Sequence, residues 1–196
     1  QELGRLDDAE ASYNQAIGLK PEHADAHYML GNLLNKLGRS EDAEASFNKA
    51  IAINPDYADA HCNLGNTLKG LGRLEDAKAC YKQAVTLNPY LGEAHNNLGN
   101  TLRELGRLDE AVNSFKEALE LNPEYAEIHS NLGVTHQELG KLEEAEASYN
   151  QSIALKPTYA EAHYNLGSTL QELGRADEAV SSYQQAFIMR TDIRGR

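Results

Sequence analysis

Proline stands at positions 21, 55, 89, 123 and 157, each 34 residues after the last, and whole strings recur with it, such as LGNTLKGLGRLEDA at 64–77 and LGNTLRELGRLDEA at 98–111. One supersecondary unit has been copied along the chain. A stacked array buries its core between neighbouring copies, so its natural working part is a surface and not a pocket. The length of 196 residues therefore says little about domain count, because an array grows by addition.

The register gives full repeats at 24–57, 58–91, 92–125, 126–159 and 160–193, with 1–23 as the back half of an earlier repeat and 194–196 as a tail; together 1–193 read as a single array. Within 92–125, Ala94, Leu98, Leu102 and Leu105 follow helical spacing and Gly106 interrupts it. Ala111, Phe115, Ala118, Leu119 and Leu121 then resume it until Asn122 and Pro123 stop the second helix. Each repeat is predicted to be a helix, a tight turn and an antiparallel helix, and nothing alternates with the period of a strand. The chain should be all-α. Gly72, Gly106, Gly140 and Gly174 fit the end of the first helix, where a left-handed residue is wanted. Gly65, Gly99, Gly133 and Gly167 lie inside it, where glycine costs about 0.8–1 kcal/mol against alanine. They are expected to let the second helix approach at Ala77, Ala111, Ala145 and Ala179.

This layout resembles the tetratricopeptide repeat family, whose pattern is met by His95, Leu98, Gly99, Gly106, Ala111, Phe115, Ala118 and Pro123. The resemblance covers essentially the whole chain and implies a right-handed superhelical solenoid of antiparallel helix pairs. Within the family, LGNTLKGLGRLEDAKACYKQAV at 64–85 looks most like the arrays of the O-linked N-acetylglucosamine transferases. Two departures from the pattern stand out. Histidine replaces a large aromatic residue at His27, His61, His95, His129 and His163, and Arg or Lys replaces the acid after the turn glycine, which removes the expected side-chain cap of the second helix.

A net charge of −12 and an isoelectric point near 5.0 argue against nucleic acid and anionic membranes as partners. Much of the acid has a local explanation: Glu75 and Asp76, Asp109 and Glu110, and Glu143 and Glu144 open predicted helices, where they complement the dipole. Cys62 and Cys80 occupy unrelated repeat positions, unlike a disulfide framework or zinc site, and point to a reduced, intracellular and cytoplasmic setting. No apolar run is long enough to span a membrane and no signal-peptide pattern appears. The chain begins partway through a repeat, which leaves an upstream targeting segment open.

The polar face of the first helix carries an asparagine row, Asn63, Asn97, Asn131 and Asn165, supplemented by Asn32, Asn66 and Asn100 one turn further along. In the superhelix this face should line the concave side. An amide offers both donor and acceptor, so the row can pair with the backbone of an extended protein or peptide ligand without reading its side chains. At about 0.5–1.5 kcal/mol net per hydrogen bond, against an association cost on the order of 4–15 kcal/mol, the row alone should bind weakly. The alternative for these residues is a solvated helix surface maintained by duplication.

The histidine column suggests metal, but equivalent side chains sit at least about 8–10 Å apart, one helix diameter, whereas zinc ligands lie about 2.0–2.1 Å from the ion. Packing histidines are expected, with no cofactor. No acid, base and oxyanion set accompanies the serines and threonines, so intrinsic catalysis is not expected.

Three functions fit: a scaffold gripping extended peptides in an asparagine-lined groove, the targeting arm of a larger glycosyltransferase-like enzyme, or a self-assembling array. An acidic chaperone C-terminus is a poor ligand, since Tyr28, Cys62, Asn96, Ser130 and Tyr164 stand where the resemblance would need lysine or arginine. Apolar residues at the ends, including Tyr13, Phe187 and Met189, lack a polar cap and point to head-to-tail self-association.

Overall fold

The computed structural model describes residues 2–194, with side chains described at Leu6 and over 8–191. First helices are α2 (Ala24–Lys36), α4 (Ala58–Gly70), α6 (Gly92–Glu104), α8 (Ala126–Glu138) and α10 (Ala160–Glu172). Second helices are α1 (Glu2–Leu19), α3 (Ser40–Ile53), α5 (Leu74–Leu87), α7 (Leu108–Leu121), α9 (Leu142–Leu155) and α11 (Ala176–Arg194). No strand occurs among the described residues. The helices fall into two compact units, Gln1–Thr101 and Leu102–Arg196.

Each hairpin turn is set by glycine. Gly38, Gly72, Gly106, Gly140 and Gly174 have φ between 71° and 77°, the left-handed region that costs a residue with a Cβ about 1–2 kcal/mol. This conformation lets the following N–H reach back into the last turn of the first helix, as in Arg39 N–H to Leu34 C=O at 2.9 Å and Arg73 N–H to Leu68 C=O at 2.9 Å. The second helix ends where Asn54, Asn88 or Asn122 turns extended, at φ −128°, −135° and −143°, as the residue before a proline must. The paired acids open α5, α7 and α9 as expected.

In the first unit α2 packs on α1, α3 and α4, and α4 packs on α3 and α5. In the second, α8 packs on α7, α9 and α10, and α10 packs on α9 and α11. The small residues Ala43, Ala50, Ala77, Ala84, Ala111, Ala118 and Ala145 of the second helices are fully buried together with Phe47, Tyr81, Phe115 and Tyr149. A fully buried aromatic or large aliphatic side chain contributes about 1.5–3 kcal/mol, so these rings anchor each hairpin.

The internal glycines do admit the second helix of the same hairpin, and the nearest approach is made by its aromatic ring. A Cβ on Gly65 would lie 2.7 Å from the Tyr81 ring, on Gly133 2.7 Å from Tyr149, on Gly167 2.8 Å from Tyr183 and on Gly31 2.7 Å from Phe47. α1 runs unbroken through Gly4, and Gln1 lies outside the described residues. Of the expected tail, the last two residues also lie outside the described ones.

Candidate functional site

The asparagines of the first unit are tied to one another. Asn63 on α4 donates Nδ2 to Asn32 Oδ1 on α2 at 2.7 Å and to the Tyr28 hydroxyl at 3.1 Å. One repeat later, Asn97 on α6 donates Nδ2 to Asn66 Oδ1 at 2.9 Å. The Tyr81 hydroxyl donates to that same oxygen at 2.7 Å, and Asn66 Nδ2 reaches Glu93 at 3.3 Å. Asn66 therefore has both oxygen lone pairs and a donor in use, while Asn63 and Asn97 spend donors on the neighbouring helix and keep their side-chain oxygens outward. Asn100 donates weakly to Asn96 at 3.5 Å.

Beneath the row runs a second layer. Thr67 and Thr101 donate to the Asn63 and Asn97 carbonyls at 2.8 Å, and Asn35 Nδ2 reaches Thr67 at 2.9 Å. In the second unit Thr135 and Thr169 bond the Asn131 and Asn165 carbonyls at 2.8 and 3.0 Å. Asn131 and Asn165 themselves are half-buried. There the contact between successive first helices is made by Gln137, whose Nε2 meets Ser168 at 3.3 Å and Glu172 at 2.5 Å while its oxygen accepts from Tyr149 at 3.2 Å. Sequence reasoning grouped these asparagines by helix face and missed that in the first unit they are each other's partners. The signal was an asparagine on two adjacent turns of the same face in adjacent repeats.

Each histidine of the column bonds a proline carbonyl six residues earlier: His27 to Pro21, His61 to Pro55 and His95 to Pro89 at 3.0 Å, and His129 to Pro123 and His163 to Pro157 at 2.9 Å. Nε2–H is the donor, since a carbonyl only accepts. The histidine thus pins the loop between repeats, where an aromatic hydrocarbon could only pack. Among the described residues no group of three or more His, Cys, Asp or Glu side chains could hold a metal ion.

The Arg or Lys after the turn glycine makes no cap to its own helix. Instead, Arg39 joins Asp42 at 2.8 Å and Glu10 of the preceding second helix at 2.8 Å. Arg73 joins Asp76 at 2.9 Å and Glu44 at 2.8 Å, and Arg175 joins Glu178 and Glu146 at 2.6 Å. The planar fork allows one guanidinium to hold two carboxylates on consecutive second helices. Cys62 and Cys80 are free thiols. Burial is the main cause that pushes them up, to about 12 and about 11 respectively, so neither is a thiolate nucleophile at neutral pH. No described helix is long and apolar enough to cross a membrane.

Family models described as tetratricopeptide repeat match residues 1–58, 58–91, 80–113 and 160–196, and one described as TPR repeat matches 99–140 and 138–174. No curated protein matches the chain. Among solved structures it is similar to YrrB, a TPR protein with an unusual peptide-binding site, at 25% identity and a TM-score of 0.81 over 92% of this chain and 93% of that one. It is similar in fold to MamA, at 24% identity and a TM-score of 0.82 over 85% and 98% of the two chains. The PilF protein of Pseudomonas aeruginosa gives 25% identity and a TM-score of 0.75 over 85% and 76%. With matches running from the first residue to the last and the glycine, alanine and aromatic positions packed as helical hairpins, the chain belongs to the tetratricopeptide repeat family.

Proposed function

We propose that the chain is a non-catalytic interaction scaffold, one array over repeats 24–57, 58–91, 92–125, 126–159 and 160–193, that binds extended peptide segments along the asparagine face of its first helices. The observation that carries this reading is the asparagine ladder. Asn63 and Asn97 are held in place by bonds to Asn32, Tyr28 and Asn66, which leaves fixed acceptors on an otherwise polar face. Preorganised acceptors lose less rotamer entropy when a ligand arrives. The ladder also narrows the chemistry: the row offers oxygens and so takes peptide N–H groups, with Asn66 as a strut and not a contact. Asn32 and Asn100 in the first unit, and Asn131 and Asn165 in the second, are the further residues of this proposal.

First helices about 8–10 Å apart and an extended chain advancing at most about 3.3–3.6 Å per residue give about three peptide residues per repeat. Four asparagines then need a ligand of roughly ten residues. Acid at Asp25, Asp59, Glu93, Glu127 and Glu161 favours a neutral or basic peptide. The test is calorimetry with a decapeptide selected from an immobilised random pool. Changing Asn63, Asn97, Asn131 and Asn165 together to alanine should remove binding, and unchanged affinity would end the reading. YrrB is a TPR protein with an unusual peptide-binding site, which supports the class of ligand. The same face would serve a targeting arm of a glycosyltransferase-like enzyme. An intracellular, cytoplasmic setting is proposed on the two unpaired thiols.

Association of copies through the ends takes second place. Phe187 is 70% exposed and Val180 54%, enough for weak stacking against the α1 side of another molecule. Such stacking would set two second helices face to face. Light scattering showing a strict monomer at high concentration would dismiss it.

A further inference from the structure

Asn63 and Asn97 occupy the same register on successive first helices of the first unit, and each donates Nδ2 to the asparagine of the helix before it, at 2.7 and 2.9 Å. The step from α2 to α4 is thus repeated from α4 to α6. With their donors spent, the two amides present Oδ1, which accepts from no group among the described residues, as acceptors about 8–10 Å apart, one helix separation. A ligand that satisfies both must offer N–H groups at that spacing and on the same side of its backbone.

A β-strand fails this condition. Its N–H groups alternate in direction, so those on one side recur at about 6.6–6.8 Å or at twice that, while a step of three residues has the right length, about 10 Å, but faces the other way. A polyproline II helix meets it. Three residues make one turn of about 9.3 Å, every third N–H points the same way, and none is bonded internally. The two residues between contacts need no N–H, so both can be proline, whose fixed φ reduces the freedom lost on binding. The same unit supplies a seat for a proline ring. The Tyr28 hydroxyl accepts from Asn63 Nδ2 at 3.1 Å, the Tyr28 ring lies 4.9 Å from that of Tyr57, and Asp25 holds the Tyr57 hydroxyl. Both tyrosines are half-buried, and aromatic-lined grooves are what proline-rich segments dock into.

We infer that the asparagine face of the first unit takes a proline-rich segment of a partner protein in the polyproline II conformation, with a free N–H at every third residue donated to Asn63 and Asn97 and a proline packed on Tyr28 and Tyr57. This rests on the peptide-binding reading above and narrows it from any extended chain to one backbone conformation. Selection is by the period of the backbone, so the side chain at every third position goes unread.

The probe is a fluorescent peptide of four Pro-Pro-Ala triplets, and anisotropy should show saturable binding to the intact chain. Replacing each alanine of the peptide with N-methylalanine removes the N–H groups and should abolish binding. A peptide of the same composition with its alanines at every second position should bind about tenfold more weakly, because only one of the two acceptors can then be met. Asn63→Ala and Asn97→Ala should each weaken the triplet peptide several-fold, the scale of one net hydrogen bond. Tyr57→Leu should also weaken it while helical content by circular dichroism is kept, since Leu91 holds the same register one repeat later. Absence of saturable binding, or equal affinity for the N-methylated or out-of-period peptide, overturns the inference. If the decapeptide selected from the random pool binds through the asparagines, lacks a three-residue proline period and is not displaced by the triplet peptide, the general peptide-binding reading stands and this inference falls.

Discussion

Gly65→Ala sets helix propensity directly against packing. Alanine is the better helix former by about 0.8–1 kcal/mol, so an unobstructed site would gain that much. At Gly65, however, the new Cβ would lie 2.7 Å from Tyr81 Cε1, 2.9 Å from Cδ1 and 3.0 Å from Cζ. The ring cannot swing away, because it is fully buried and its hydroxyl is held by Asn66 at 2.7 Å. Overpacking of this kind costs about 1–3 kcal/mol, which exceeds the propensity gain and leaves a net loss of up to about 2 kcal/mol. Gly70→Ala is the matched control, in the same helix with nothing within 4 Å of its Cβ, and should be neutral or stabilising. The assay is urea unfolding followed at 222 nm, reported as the midpoint because an array need not unfold in one step. Gly65→Ala should lower the midpoint, Gly70→Ala should not, and Tyr81→Leu in the Gly65→Ala background should lose less than Tyr81→Leu alone. A midpoint raised equally by the two alanines would refute the argument that the ring dictates the glycine.

Arg73→Lys keeps the charge but loses the fork, so it should break one of the bonds to Asp76 and Glu44 and lower the unfolding midpoint, by an amount that shrinks in high salt as an exposed ion pair requires; a salt-independent loss would point to packing of the stem. Burial holds His136 below its ordinary value of 6.5. The unfolded chain therefore takes up a proton that the folded one resists. Stability from this group is present above about 6.5 and lost as pH falls below it. Thermal melts from pH 7.5 to 5 should show that decline, and His136→Gln should flatten it.

The sequence by itself determined the elements and the family. A 34-residue period, glycines where the chain must adopt positive φ, and prolines after extended asparagines are local constraints on backbone and burial, so their spacing alone assigns Gly72, Gly106, Gly140 and Gly174 to turns. Helical periodicity also says which asparagines share a side of their helix. What each face meets was decided only by the tertiary structure. Gly65 lies against the Tyr81 ring, Asn63 spends its donor on Asn32, Arg73 reaches Glu44, and His61 holds Pro55. Two of these partners lie 31 and 29 residues away, close to the repeat length but not equal to it. That offset comes from the translation and rotation between successive hairpins, which depends on how the buried rings and alanines pack. A repeat period records that the units are alike; it does not record the step between them, and the step decides which polar groups stay available to a ligand.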